Sequence, residues 1–159
     1  MEHALNQAEA QLKNICLLVD RLEHAKECDD PEECSVDRDT LVAALGLSPE
    51  AEPTEEDNSA YHDEDEAISS ILEDPLEVLV RSEWHGMGDC FPPMQYCILL
   101  CTGGPAARIT GDLSLHDRSP ESCTLQYRDW FTEWEDYPLS KKEAEVILNY
   151  VKQFLFEFI

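Results

Sequence analysis

Tyr96-Cys97-Ile98-Leu99-Leu100-Cys101-Thr102-Gly103-Gly104-Pro105 is the stretch whose reading decides the fold. An unbroken apolar run of strand length ends in a Gly-Gly-Pro turn, and residues 107–115 (Ala-Arg-Ile-Thr-Gly-Asp-Leu-Ser-Leu) resume an extended pattern. So short a connection makes the two strands antiparallel, because a parallel return needs a crossover of roughly a dozen residues. The lack of polar alternation in residues 96–102 predicts a central strand covered on both faces. Working outward, 117–122 turns the chain into a third run, 123–130, and 76–84 precedes the loop 85–93 as a fourth. The result is a four-stranded antiparallel meander.

Helices flank this sheet. Ser140-Lys141-Lys142-Glu143 has the spacing of a capping box, and Ala144, Ile147, Val151, Phe154, Leu155 and Phe158 form the apolar stripe of a C-terminal helix laid across one sheet face. Residues 3–26 read as a long amphipathic helix in which Leu5, Ala8, Leu12, Ile15, Val19 and Leu22 follow a heptad. Its stripe packs on its own domain, and the same spacing admits a homodimer through residues 5–22. A short helix over 37–46 follows, with Ser35 as N-cap and Gly46 as its stop. Ala67, Ile68, Ile71 and Leu72 extend the helical period up to Pro75. The fold class is α+β: N-terminal helices plus a four-stranded antiparallel sheet packed by a C-terminal helix. Residues 1–47 form the helical segment, 48–66 an acidic flexible linker, and 67–159 the α+β domain, of which 75–159 is expected to fold alone.

Charge is distributed unevenly. The chain of 159 residues has a formal net charge of −24, of which −18 falls in residues 1–75. Between 48 and 66 stand Glu50, Glu52, Glu55, Glu56, Asp57, Asp63, Glu64, Asp65 and Glu66, with no Lys or Arg. Such a segment buries too little apolar surface to fold unaided, so these side chains are expected to be solvated and without structural roles. An acid excess of this size repels nucleic acid and anionic membranes, which excludes both as direct partners. It suits a basic protein or nucleoprotein complex, since closely spaced carboxylates imitate the phosphates of a duplex. A second candidate surface is Trp134, Glu135, Asp136 and Tyr137, where aromatics interleave with acids. Trp130, just before it, is expected to be buried and Trp134 partly exposed.

No chemistry-bearing motif stands out. His24 and Cys28 share a helix face and Cys34 follows across a turn, but there is no C-x-x-C knuckle and no fourth ligand in view, so neither a metal nor another cofactor is expected. Cys90, Cys97 and Cys101 meet the same objection, and Cys97 and Cys101 are placed toward the core. The acids of 57–66 lack the spaced, glycine-bearing calcium loop. His85, Cys90, His116 and Asp117 contain the groups of a thiol hydrolase without any spacing that assembles them, and the chain reads as not an enzyme. No secretory leader or membrane span is visible, which implies a cytoplasmic protein with reduced thiols, in a host cell if phage-encoded.

Residues 98–113, Ile-Leu-Leu-Cys-Thr-Gly-Gly-Pro-Ala-Ala-Arg-Ile-Thr-Gly-Asp-Leu, with Leu125-Gln126-Tyr127-Arg128-Asp129-Trp130-Phe131-Thr132-Glu133-Trp134, resemble small acidic proteins carried by phages and integrative mobile elements. The resemblance covers about residues 75–159 and carries over no functional residue. It implies an anti-defence setting, anti-CRISPR inhibitors included, in which an acidic surface blocks a nucleic-acid-handling complex such as a CRISPR effector. An immunity protein that neutralises a basic toxin is the alternative.

Overall fold

Ala4, Ala8, Leu12, Ile15, Leu18, Val19 and Leu22 recur every three or four residues, and their burial draws Glu2–Glu27 into one long helix, α1. The computed structural model describes residues 2–154 and 156. Within them α1 is followed by α2 (Arg38–Leu45), α3 (Glu55–Tyr61), α4 (Glu64–Glu73) and, after the sheet, α5 (Lys141–Lys152). The strands are β1 (Glu77–Arg81), β2 (Gln95–Cys101), β3 (Ala106–Asp112), β4 (Thr124–Arg128) and the two-residue β5 (Glu135–Asp136). All pair antiparallel in sequential order, so the sheet is a meander and the class is α+β. β5 is the addition to the four expected strands. It pairs Gln126 with Asp136 and Tyr127 with Glu135.

One face of the sheet is covered. Tyr96, Ile98, Leu100, Ala107, Ile109 and Leu125 point into a core shared with Ile15, Val19 and Leu22 of α1, Ile71 of α4, and Ile147, Tyr150 and Val151 of α5. α1 lies over β3 and β4, with α4 and α5 packed against it. Of the stripe expected for the C-terminal helix, Leu155 and Phe158 lie outside the described residues. The capping box at its start is present as expected, Ser140 and Glu143 each accepting the other's backbone N–H.

β2 departs from its expected two-sided burial. Its residues alternate between buried (Tyr96, Ile98, Leu100) and half-buried (Cys97, Leu99, Cys101). Cys97 therefore points away from the core, onto a face that also bears Leu79, Arg108 and Gln126 by register. Cys101, beyond a register shift after Leu99, pairs with buried Ala107 and packs against the core as expected. An unbroken apolar run hides this alternation, because apolar residues on the open side carry no polar mark to distinguish the two faces.

The segment expected to be a mobile linker contains α3. Thr54 accepts the Asp57 N–H and Asp57 accepts the Thr54 N–H, a capping box that closes the first turn, and Tyr61 is buried at its end. Asp63 then caps α4 by accepting the Glu66 N–H at 3.0 Å. Asp37 caps α2 in place of the expected Ser35, and Gly46 closes that helix with φ at +65°, a left-handed value that suits glycine. The heptad residues Ala8, Leu12, Ile15, Val19 and Leu22 are buried inside the chain itself. Because α1 and the sheet share one core, residues 75–159 lack a large part of the apolar layer that covers their inner face. Among the described residues no helix is long and apolar enough to cross a membrane.

Candidate functional site

Two helix starts bring the predicted acids together. The first turn of α3 carries Glu55, Glu56 and Asp57, and that of α4 carries Glu64, Asp65 and Glu66. Glu55, Glu56, Asp63 and Glu66 border one shallow hollow with Ser59 and Ala60. Glu52 faces the neighbouring cleft with Glu32, Glu33 and Glu55, and Glu50 stands exposed in the loop before it. Acids in a first helical turn offset the partial positive charge of the free N–H groups, so local structure tolerates this crowding.

The expectation that all of these side chains are merely solvated needs correction. Asp57 and Asp63 are caps. Glu52 lies 3.9 Å from Arg38, which also donates to the Pro49 carbonyl, and Glu66 lies 3.6 Å from Arg21. Arg21 is only 4% exposed; it donates to the Ala60 carbonyl at 2.7 Å and to Ser70 Oγ at 3.0 Å, tying α1 to the α3–α4 elbow. Burial pushes its pKa down, while Glu66 pushes it back up. Two of the four cations in residues 1–75 are thus absorbed by the fold. Glu55, Glu56, Glu64 and Asp65 remain exposed and outside every cap and ion pair among the described residues.

The aromatic segment is arranged differently from the expectation. Trp130 is 61% exposed rather than buried, and Phe131 beside it is fully exposed with φ at +58°. The cause is a turn in which the Asp129 carboxylate accepts the Trp130 N–H while the Asp129 N–H donates to Thr132 Oγ1, lifting both rings off the sheet. Trp134 is half-exposed, as expected, and engaged: the Arg108 and Arg128 guanidiniums sit 4.0 and 4.5 Å from its ring centroid. Glu135 and Asp136 form β5, where Asp136 accepts from Gln126 at 2.8 Å, and Tyr137 packs against the core. Trp134 and Tyr137 therefore hold the sheet edge, and the exposed aromatics of this segment are Trp130 and Phe131.

Beside the acidic face, the end of α1, the loop after it and the end of α3 converge on His24, Cys28, Cys34 and His62. One ligand-capable atom from each lies within 4.8 Å of all the others. His24 Nε2 is 3.0 Å from His62 Nε2 and 3.5 Å from Cys34 Sγ. The sequence placed His24, Cys28 and Cys34 near one another but missed His62, which is brought in by α3, a helix the acid-rich composition concealed. The adjacent Tyr61, apolar in an acidic tract, was the available signal that this segment is anchored. Cys90 stays in an exposed loop, and His85 stacks on Phe91 rather than meeting a thiol. Asp117 accepts from Ser119 within its own turn, which holds its pKa below the ordinary carboxylate range. Among the described residues, the His24–His62 group is the one His/Cys/Asp/Glu cluster with metal-ligating geometry.

Comparison with protein-family models, with curated proteins and with solved structures finds no match for this chain.

Proposed function

We propose that this chain is an inhibitor of the anti-defence kind, an acidic protein that occupies the phosphate-binding groove of a nucleic-acid-handling protein complex. The observation that carries the reading is the pair of consecutive helix starts, α3 and α4, each presenting three acids in its first turn. A helix rises about 1.5 Å per residue, so each triplet locally approaches the charge density of duplex DNA, about one negative charge per 1.7 Å of axis. Arg21 and Arg38 lie beside Glu66 and Glu52, and Glu55, Glu56, Glu64 and Asp65 stand outside the ion pairs among the described residues. A groove lined with Lys and Arg gains from such a surface by charge complementarity, chiefly in association rate and orientation.

The test is capture of partners from a lysate of the host cell, using the wild-type chain beside the variant Glu55→Gln/Glu56→Gln/Glu64→Gln/Asp65→Asn. These four positions avoid the caps and ion pairs, so the variant should fold as the wild type does. The reading predicts that wild type retains a nucleic-acid-binding protein which the variant loses. Retention of the same protein by both would contradict it.

A further inference from the structure

We infer that His24, Cys28, Cys34 and His62 form a closed, structural zinc site that staples the acidic helix α3 to the end of α1. The donor set is two thiols and two imidazoles, and S2N2 is the combination that favours tetrahedral zinc. Zinc–sulfur bonds of about 2.3 Å and zinc–nitrogen bonds of about 2.0–2.1 Å place tetrahedral donor atoms roughly 3.3–3.8 Å apart. The observed separations, 3.0 Å between the imidazole nitrogens, 3.5 Å from Cys34 Sγ to His24 Nε2 and at most 4.8 Å across the set, bracket that range. Adjustments of a few tenths of an ångström to about an ångström in side-chain position would close the coordination sphere.

The surroundings are organised for ligation. A carbonyl oxygen can only accept, so the 2.6 Å contact between His62 Nδ1 and the Asn58 carbonyl fixes the proton on Nδ1 and turns the Nε2 lone pair toward His24 and Cys34. A backbone carbonyl on the distal ring nitrogen is the usual outer partner of a metal-bound histidine. The Asn58 side chain also donates to the Cys34 carbonyl at 3.0 Å and accepts the Val36 N–H at 3.4 Å, so one residue of α3 fixes both the histidine and the loop that carries the thiol. Cys34 N–H donates to the Asp30 carbonyl at 3.0 Å, closing that loop on itself. His24 and Cys28, four residues apart, lie on one side of α1's last turn and its extension.

The fold has a use for such a staple. α3 is seven residues long and buries only Tyr61 fully among them, and a helix that short has no stability of its own. Four protein ligands leave no open position for substrate, which makes the role structural rather than catalytic. On binding, the two thiol protons leave to solvent, and two thiolates and two neutral imidazoles around Zn2+ sum to zero charge. The metal therefore fixes the acidic face without weakening its field. The inference holds whether or not that face meets a basic groove.

The experiment uses the full chain, purified in a non-chelating reductant without added chelator. Elemental analysis should give about one zinc per chain. Replacement with Co2+ alone should give the visible bands of a tetrahedral site and thiolate-to-cobalt charge transfer in the near ultraviolet. Cys34→Ser and His62→Ala should lose the metal, whereas Cys90→Ser, in an exposed loop away from the cluster, should keep it. Asn58→Ala retains all four ligands and should weaken zinc binding by about 10–100-fold without changing the cobalt spectrum. Since a ligand variant could fail to fold, the cobalt titration of wild type stands alone as a test. Absence of a thiolate–cobalt band in wild type would overturn the inference. So would zinc loading indifferent to Cys34→Ser and His62→Ala, or a Cys28–Cys34 disulfide in freshly purified protein.

Discussion

Replacing Arg21 by methionine tests whether the α3–α4 elbow that displays the acids is held by a buried cation. The substitution removes two charge-assisted hydrogen bonds, to Ala60 O at 2.7 Å and Ser70 Oγ at 3.0 Å, and a looser contact with Glu66 at 3.6 Å. Hydrogen bonds from a charged donor contribute about 1.5–3 kcal/mol each. Against that, the buried guanidinium no longer has to be desolvated, an effective cost of several kcal/mol. Both acceptors also keep a partner: Ala60 O still receives the Asp63 N–H at 3.2 Å, and Ser70 Oγ still donates to Glu66 O at 2.9 Å. Neither is orphaned, and methionine fills most of the space of the arginine stem. The net loss should be about 1–3 kcal/mol. Arg21→Ala, which adds a cavity, should cost about 3–5 kcal/mol. In urea, with a slope near 2 kcal/mol/M, the methionine variant's midpoint should fall by roughly 0.5–1.5 M at unchanged slope. A midpoint equal to or above wild type would show that desolvation outweighs the hydrogen bonds and that Arg21 does not hold the elbow.

Three further outcomes follow from the same structure. Tyr150 is fully buried and donates to the Asp74 carboxylate at 2.7 Å, and Asn14 donates to the same carboxylate; Tyr150→Phe should destabilise by about 1.5–3 kcal/mol, and an unmoved denaturation midpoint would contradict this. Thr40 donates its hydroxyl and its N–H to Asp37 and holds that carboxylate below its ordinary pKa. The stability it adds is present above the unfolded-state pKa and is lost as pH falls through the lower folded value. The melting-temperature gap between wild type and Asp37→Ala should therefore narrow below about pH 4, and a gap constant down to strong acid would refute it. The fragment 75–159, stripped of α1, should show neither a cooperative melt nor dispersed amide signals, because Ile15, Val19 and Leu22 supply the layer over its sheet. A cooperative transition in that fragment would restore its independence.

Local chemistry made much of this fold legible. The Gly103-Gly104-Pro105 turn, the Ser140–Glu143 capping box and the Gly46 stop each encode their conformation within a few residues, and each appears where its sequence placed it. Part of what escaped was set at long range, and part by local side-chain devices. Residues 95–101 look the same whether one or both faces are covered, because the covering helix lies about eighty residues earlier in the chain. α3 was hidden by a composition that forbids a hydrophobic core but not a capped helix anchored by Tyr61 and Arg21. Trp130 was misplaced because the Asp129–Thr132 turn, a side-chain device, overrides the strand alternation that precedes it. The fourth member of the histidine–cysteine cluster lies 28 residues beyond the third, and no spacing rule spans an intervening helix and loop.

The most direct measurement pits the chain against duplex DNA for the groove of its captured and purified partner. If the acidic face stands in for phosphate, the two ligands exclude one another. The chain's affinity should then fall steeply as salt rises, exposed charges being screened beyond about 10 Å at 0.1 M, and the four-acid variant should lose the competition. A stable ternary complex of partner, duplex and chain, with affinity indifferent to salt, would contradict the proposal that this protein works by occupying a nucleic-acid site.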